Sequence, residues 1–255
     1  MTKRFLYHAE AFGASGRITL PHQEVLDVQA SVSLPLTGGH AKSRVENFRH
    51  RNLISFEAAE SHVVGSYSAK DKAHGTLSTS MIEGLNIMDI VTCDRIVGRV
   101  TTKHPDDGSE PSIIPLGSRF ENLRIAGHKI EPELAIDVFC ECDTWGKLDK
   151  AHSGDKKFRT EFRKLSMLKR DDNALPASKN MVGCSLMRNL DALPGGLKPN
   201  GPGIHVPHFG TVYLGEFFVT PGARRLLMIR VELGCSIEGS FDGGGGGGNG
   251  SPYPP

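Results

Sequence analysis

The chain lacks most of the features that announce a function. Neither charge sign dominates: 30 lysines and arginines stand against 29 aspartates and glutamates, a formal net charge of +1. Proteins that depend on nucleic acid or an anionic surface usually carry a strong basic excess, so a nucleic-acid partner is disfavoured. No apolar run approaches the ~18 residues of a transmembrane helix, and no membrane partner is expected. The N-terminus, MTKRFLYHAE, has no uninterrupted apolar stretch of the about 7–15 residues that a secretory signal needs. Cysteine is scarce, and its five positions (Cys93, Cys140, Cys142, Cys184, Cys235) are odd in number and scattered. That is no disulfide framework and fits a reducing compartment, so the cytoplasm is the expected location.

Recognisable catalytic motifs are missing too. There is no nucleophile elbow, phosphate loop or dinucleotide fingerprint. Gly195-Gly196 and Gly201-Pro202-Gly203 lack the Lys-Ser/Thr ending or the strand-to-helix setting those motifs need, so no cofactor is expected. Cys140-Glu141-Cys142 offers two thiols but no second pair to complete four ligands, which argues against a metal.

What the sequence does have is alternation. Leu26, Val28, Ala30, Val32 and Leu34 recur at period two, as do Leu134, Ile136, Val138, Cys140 and Cys142, and later Leu227, Ile229, Val231 and Leu233. Successive side chains of a strand point to opposite faces, so each run predicts a half-buried strand. On that reading Cys140 and Cys142 both lie in the core as small hydrophobes. Pro221-Gly222 predicts a hairpin turn, since proline presets the first turn residue and glycine takes the positive φ of the second. Segments 43–68 and 85–102 read as extended, for about ten strands in all.

One stretch differs. From Asp155 to Arg170 glycine and proline are absent, and Phe158, Phe162 and Leu165 recur at helical spacing behind Asp155 as N-cap. Its seven basic residues against two acids read as a solvated helix face. The expected organisation is a single β-rich domain over 1–242, with a helical insertion at about 153–170 and an irregular Pro/Gly loop at 193–207. Residues 243–255, with six consecutive glycines and a Pro-Tyr-Pro-Pro end, have nothing to bury against the entropy of ordering, so a disordered tail is expected.

Polar residues that could line a pocket at one end of the sheets are Asp94, Glu121, Arg124, His128, His205 and His208. The last two are the only close pair among eleven histidines. Pro207 argues against a helix there, and on a strand their spacing of three would turn the rings to opposite faces, whereas a loop could still converge them. Tyr253 is a candidate partner-binding residue if the glycines act as a tether.

Several pieces resemble the choice-of-anchor P type domains of bacterial surface proteins. They are Phe12-Gly-Ala-Ser-Gly16, Gly84-Leu-Asn-Ile87, Ile90-Val-Thr-Cys-Asp94, Phe120–Gly127 and Gly210–Leu214, in matching order over about two thirds of the chain. The resemblance implies a strand-rich fold and supplies no site residues; the Cys140–Asn200 region departs from the pattern. Together these features predict an all-β sandwich or barrel-like domain that acts by binding or assembly, with a protein partner or self-association. The alternative is an enzyme or small-molecule binder with a polar pocket at one end of the β domain.

Overall fold

The computed structural model describes residues 4–167, 181–190, 193–234 and 237–253. It is an all-β sandwich of two antiparallel sheets, 62% strand and 11% helix. In chain order, β1 (Arg4–Leu20), β2 (Glu24–Gln29) and β3 (Val32–Ser33) open the first sheet. β4 (Gly39–His50), β5 (Ile54–Ser68), β6 (Ala73–Ile87) and β7 (Val91–Pro105) then form a meander in the second. Four short strands decorate β7 directly or through a neighbour: β8 (Ser112–Ile114), β9 (Arg119–Glu121), β10 (Arg124–Ile125) and β11 (His128–Lys129). Helices α1 (Ile136–Glu141), α2 (Trp145–Gly154) and α3 (Lys156–Leu165) follow. The chain then returns to the first sheet with β12 (Val182–Ser185), β13 (Lys198–Asn200), β14 (Gly203–Val206), β15 (Gly210–Thr220), β16 (Ala223–Gly234) and β17 (Glu238–Tyr253). The first sheet runs β13-β14-β15-β16-β17-β1-β2, with β12 on β15 and β3 on β1.

The expected disordered tail is therefore a correction. β17 is a central strand, paired with β1 from Arg4↔Tyr253 to Leu20↔Glu238 and with β16 from Arg224↔Gly248 to Gly234↔Glu238. Glycine costs more entropy to order than any other residue, but this strand completes backbone ladders on both sides, and a methyl group on Gly243, Gly244, Gly245 or Gly248 would come within 3.0 Å of a neighbouring atom. A methyl group on Gly98 of β7 would lie 2.7 Å from the Gly244 carbonyl oxygen and 2.8 Å from Met228 Cγ. One on Gly13 would lie 2.6 Å from Ala59 Cβ. Ser78 and Ser80 of β6 reach across this narrow gap and donate to the carbonyl oxygens of Gly247 (2.8 Å) and Phe12 (2.6 Å). Tyr253 ends a paired strand, which removes the tether on which its partner-binding role depended.

Each sheet is creased at its middle. Gly215 and Gly244 in one sheet, and Asn47 and Gly84 in the other, have positive φ, and the ladders skip the pairs at these points while keeping register. At the crease the inward face changes parity. Leu226 and Met228 point inward on β16, but so do Ile229 and Val231. Leu227 thus falls on the opposite face from Ile229, against the uninterrupted alternation that the sequence implied.

Two further expectations fail nearby. Residues 136–141 form α1 instead of a strand, so Cys140 is exposed while Cys142, the C-cap, is buried. Residues two apart on a helix diverge by about 200°, which splits the pair. Within the expected loop 193–207, β13 and β14 form a hairpin. Elsewhere, Pro221-Gly222 joins β15 to β16, with Gly222 at φ 82° and Thr220 opposite Ala223. Asp155 caps α3 by accepting from the amides of Lys157 (2.7 Å) and Phe158 (3.1 Å), while residues 168–170 lie outside the described residues.

The helices pack on the part of the first sheet that includes β15. Phe139 meets Phe217 edge-on at 4.8 Å, and Phe162 and Leu165 are buried in the same core. Arg224 of β16, 3% exposed, ties the layers by donating to the carbonyl oxygens of Ile113 and Cys142.

The narrow gap has a direct consequence. Gly98→Ala should cost about 1–3 kcal/mol, because its methyl group meets backbone and a packed Met. Gly234→Ala, with ordinary φ and nothing within 4 Å, should stay within about 0.5 kcal/mol of the parent. Chemical denaturation of both variants checks this, and equal effects would show that the sheets are not in tight contact at Gly98.

Candidate functional site

The six pocket candidates do not form one site. Asp94, exposed on β7, accepts from Asn122 Nδ2 at 3.1 Å. Glu121 accepts from Arg119 Nε at 2.8 Å and lies 3.9 Å from Arg95 Nη1. Arg124 is exposed on β10, and His128 on β11 packs against Gly195. His205 and His208 belong to the other sheet: His205 sits exposed on β14 opposite Lys198, and His208 occupies a turn at φ 58°. Among the described residues no hydrogen bond or ion pair joins the first four to these two histidines, and none of the six lines the concavities described below.

The principal concavity lies instead on the outer face of the first sheet, over the glycines of β17. Phe12, Gly245 and Leu227 stand side by side across β1, β17 and β16, as do Glu10, Gly247 and Arg225. Glycine at the middle of each row leaves a furrow. Phe12 lies over Gly245, where a methyl group would come within 2.1 Å of its ring. Glu10 and Arg225 form an ion pair that spans Gly247.

Two adjoining hollows share Glu10, Ser33, Ala223, Arg224 and Arg225. The first, about 710 Å³, is mainly apolar, with Phe12, Val28, Met181, Phe218 and Leu227 around it. The second, about 740 Å³, follows Gly247–Ser251 and is more polar, with His8, Asn249 and Ser251 at its border. Val28 is 54% exposed, Met181 46% and Phe218 36%, so the apolar lobe presents large hydrophobic side chains to solvent. None of these residues is among the site candidates that the sequence offers. The signal that could have found them is the glycine run itself, read as a strand that others approach closely.

A second constellation sits where β5, β6 and β7 meet the start of β1. Tyr67, His74 and His104 are cross-strand neighbours. The Tyr7 hydroxyl lies 2.7 Å from His74 Nδ1, Phe5 stacks on His74 at 4.1 Å, and Tyr67 donates to Asp106 at 2.7 Å. His74 Nε2 is 3.6 Å from Asp106. Tyr–His–Asp could relay a proton, but burial and the Asp106 charge raise the Tyr7 pKa, which weakens any role as a nucleophile. His104 is 7% exposed, its Nε2 meets no partner, and burial followed by the nearby His74 pushes its pKa down to about 4.

The fold and groove define an all-β sandwich with an open, glycine-floored furrow on one outer face. The chain belongs to the family described as a domain of unknown function (DUF8256), whose model matches residues 5–173 and 149–220. No curated protein and no solved structure matches it.

Two measurements test this description. Burial lowers the His104 pKa below the ordinary value near 6.5, so the unfolded chain binds more protons between about pH 6.5 and 4. Stability should therefore be full above that window and fall through it, by at most about 3 kcal/mol. His104→Phe should flatten that part of the stability–pH profile, and an unchanged slope would show that His104 is not buried uncharged. Among the four described cysteines, only Cys140 should be alkylated quickly in the native protein. Burial pushes the Cys93 thiol up to about 11 and that of Cys184 to about 12, and Cys142 is also buried. Peptide mapping that found all four labelled at one rate would contradict the core.

Proposed function

We propose that this chain is a non-catalytic binding protein and that its ligand is an elongated amphipathic small molecule lying along the β17 furrow. The observation that carries this reading is the pairing of an apolar lobe with a polar one along the glycine strand β17. Ligand sites are typically clefts of about 300–1,000 Å³ with mostly apolar walls and few polar groups, and each lobe falls in that range. The Phe12 ring leaning over Gly245 and the neighbouring Leu227 give the apolar lobe a low hydrophobic floor, which supports a thin, extended occupant.

Self-association by strand addition has less support. The long outer strand β4 carries Lys42, Arg44 and Arg49 along its edge and a left-handed Asn47 at its crease. Charges and irregularity of this kind hinder edge-to-edge pairing.

The test uses N-phenyl-1-naphthylamine, an uncharged apolar dye that fluoresces when removed from water. Saturable binding should be seen with the purified protein. Phe218→Gln and Leu227→Gln, which place amides in the apolar lobe, should each weaken it about tenfold, equivalent to about 1.4 kcal/mol. Both positions face outward, so the melting temperatures should stay close to the parent value. Absence of saturable binding, or equal binding by the variants, would refute the groove as the site.

A further inference from the structure

We infer that the end of the sandwich holding the start of β1 is a separately opening flap, closed while His104 and His74 are neutral and released when they gain protons. The flap stands apart from the groove reading and follows from the division of the interior into two apolar clusters. The larger includes Ile82, Ile96, Phe139 and Phe217. The smaller is Tyr7, Ala9, Ala11, Leu34 and Val63, with Phe5 packed on it. On β6 the inward positions between His74 and Ile82 are Thr76, Ser78 and Ser80, all buried. Hydroxyl groups there separate the clusters, so the smaller has few apolar contacts that tie its opening to that of the larger.

The ladder also narrows at this end. Pairing of β16 with β17 starts at Arg224↔Gly248, so among the described residues Gly250–Tyr253 pair only with Arg4–Tyr7 of β1. One further amide bond, from Tyr7 to the Leu36 carbonyl oxygen, joins this two-stranded ribbon to its surroundings. Such ribbons are marginal alone. Rings hold this one to the second sheet: Phe5 lies against His74 and, at 5.2 Å, against His104, and the Tyr7 hydroxyl meets His74 Nδ1. His104 is the sensor. It is buried and its Nε2 has no partner, so a proton gained there is an unpaired donor and a charge in an apolar site, which opening to water relieves. The titratable groups facing the two rings are Tyr7 from β1, Tyr67 from β5, Asp106 beyond β7, and each other across β6 and β7. From β17 come only Gly248 and Gly250. Asp106 stands beside His74, 3.6 Å from its Nε2, and leaves His104 uncompensated. Burial lowers the pKa of both histidines, that of His104 to about 4, so below about pH 6.5 the closed form binds fewer protons than the open one. The flap is closed near neutrality and opens as the pH falls through that window. Gly250 and Ser251 also line the more polar hollow, so its border moves with the flap.

Amide hydrogen exchange of the full chain at about pH 7 and about pH 5 tests this, each rate being divided by that of an unstructured peptide at the same pH. Protection of Phe5–Tyr7 should fall at least about tenfold on acidification. At both pH values it should also stay at least about tenfold below that of Leu226–Val231 in β16, the mark of a flap that opens alone. His104→Gln and His104→Phe should each lose most of the drop; the two replacements guard against a packing effect of either. His8→Gln, at an exposed position on the same strand, should keep it. Equal protection of Phe5–Tyr7 and Leu226–Val231 would show that this end opens only with the whole molecule and overturn the flap. A parent protein without the drop, or a full drop in both His104 variants, would overturn the histidine trigger.

Discussion

The whole molecule depends on how closely two sheets approach at one point. Gly98 of β7 faces Gly244 of β17, Gly13 of β1 faces Ala59 of β5, and Ser78 and Ser80 bond across to main-chain oxygens. Sheets normally stack ≈ 10 Å apart, with side chains between them. Here the central strands have almost none to interpose, so backbone meets backbone and the larger residues are displaced to either side. Ile82, Ile96, Phe241 and Val231 pack on one side of the crease, and Thr76 bonds Thr102 at 2.7 Å on the other.

That constraint also produces the groove. A strand that is glycine on its inner face to admit the other sheet is glycine on its outer face through the same run, and Gly245 and Gly247 lie there. Phe12, Leu227, Glu10 and Arg225 then project from the flanking strands alone and lean over a low-lying central strand, with Phe12 over Gly245 and the Glu10–Arg225 pair across Gly247. Packing and binding surface are two faces of one sequence feature, the tract from Gly243 to Gly248. Substitutions within it will therefore disturb stability and ligand contact together, whereas those at Phe218 or Arg225 separate the two.

Much of the architecture was legible because the physics is local. The hairpin at Pro221-Gly222 follows from two residues with fixed φ preferences, and the cap at Asp155 from one carboxylate beside free amides. The all-β class follows from repeated period-two patterning. Where inference went astray, a tertiary contact decided the outcome. The 134–142 run alternates like a strand, yet its residues fold as α1, where Phe139 finds Phe217 and Phe162. The glycine tract has no apolar side chains, which favours disorder in isolation; only the neighbouring strands give it ladders and a reason to lack Cβ atoms. The candidate pocket residues were chosen by charge and spacing, and the strands carry them to separate places. Arg225 and Glu10, 215 residues apart in the chain, become neighbours through a pairing of the chain's two ends that no local pattern announces.

Amide hydrogen exchange over Gly243–Gly250 tests the central claim most directly. A glycine run free in solution exchanges at the rate of an unstructured peptide. As the strand between β16 and β1, its hydrogen-bonded amides open only with the surrounding sheet, and their exchange should be slowed by several orders of magnitude. It should then track that of the Leu226–Val231 segment of β16. Free-peptide exchange across Gly243–Gly250, with Leu226–Val231 protected, would contradict the account, because it would leave the first sheet without its central strand.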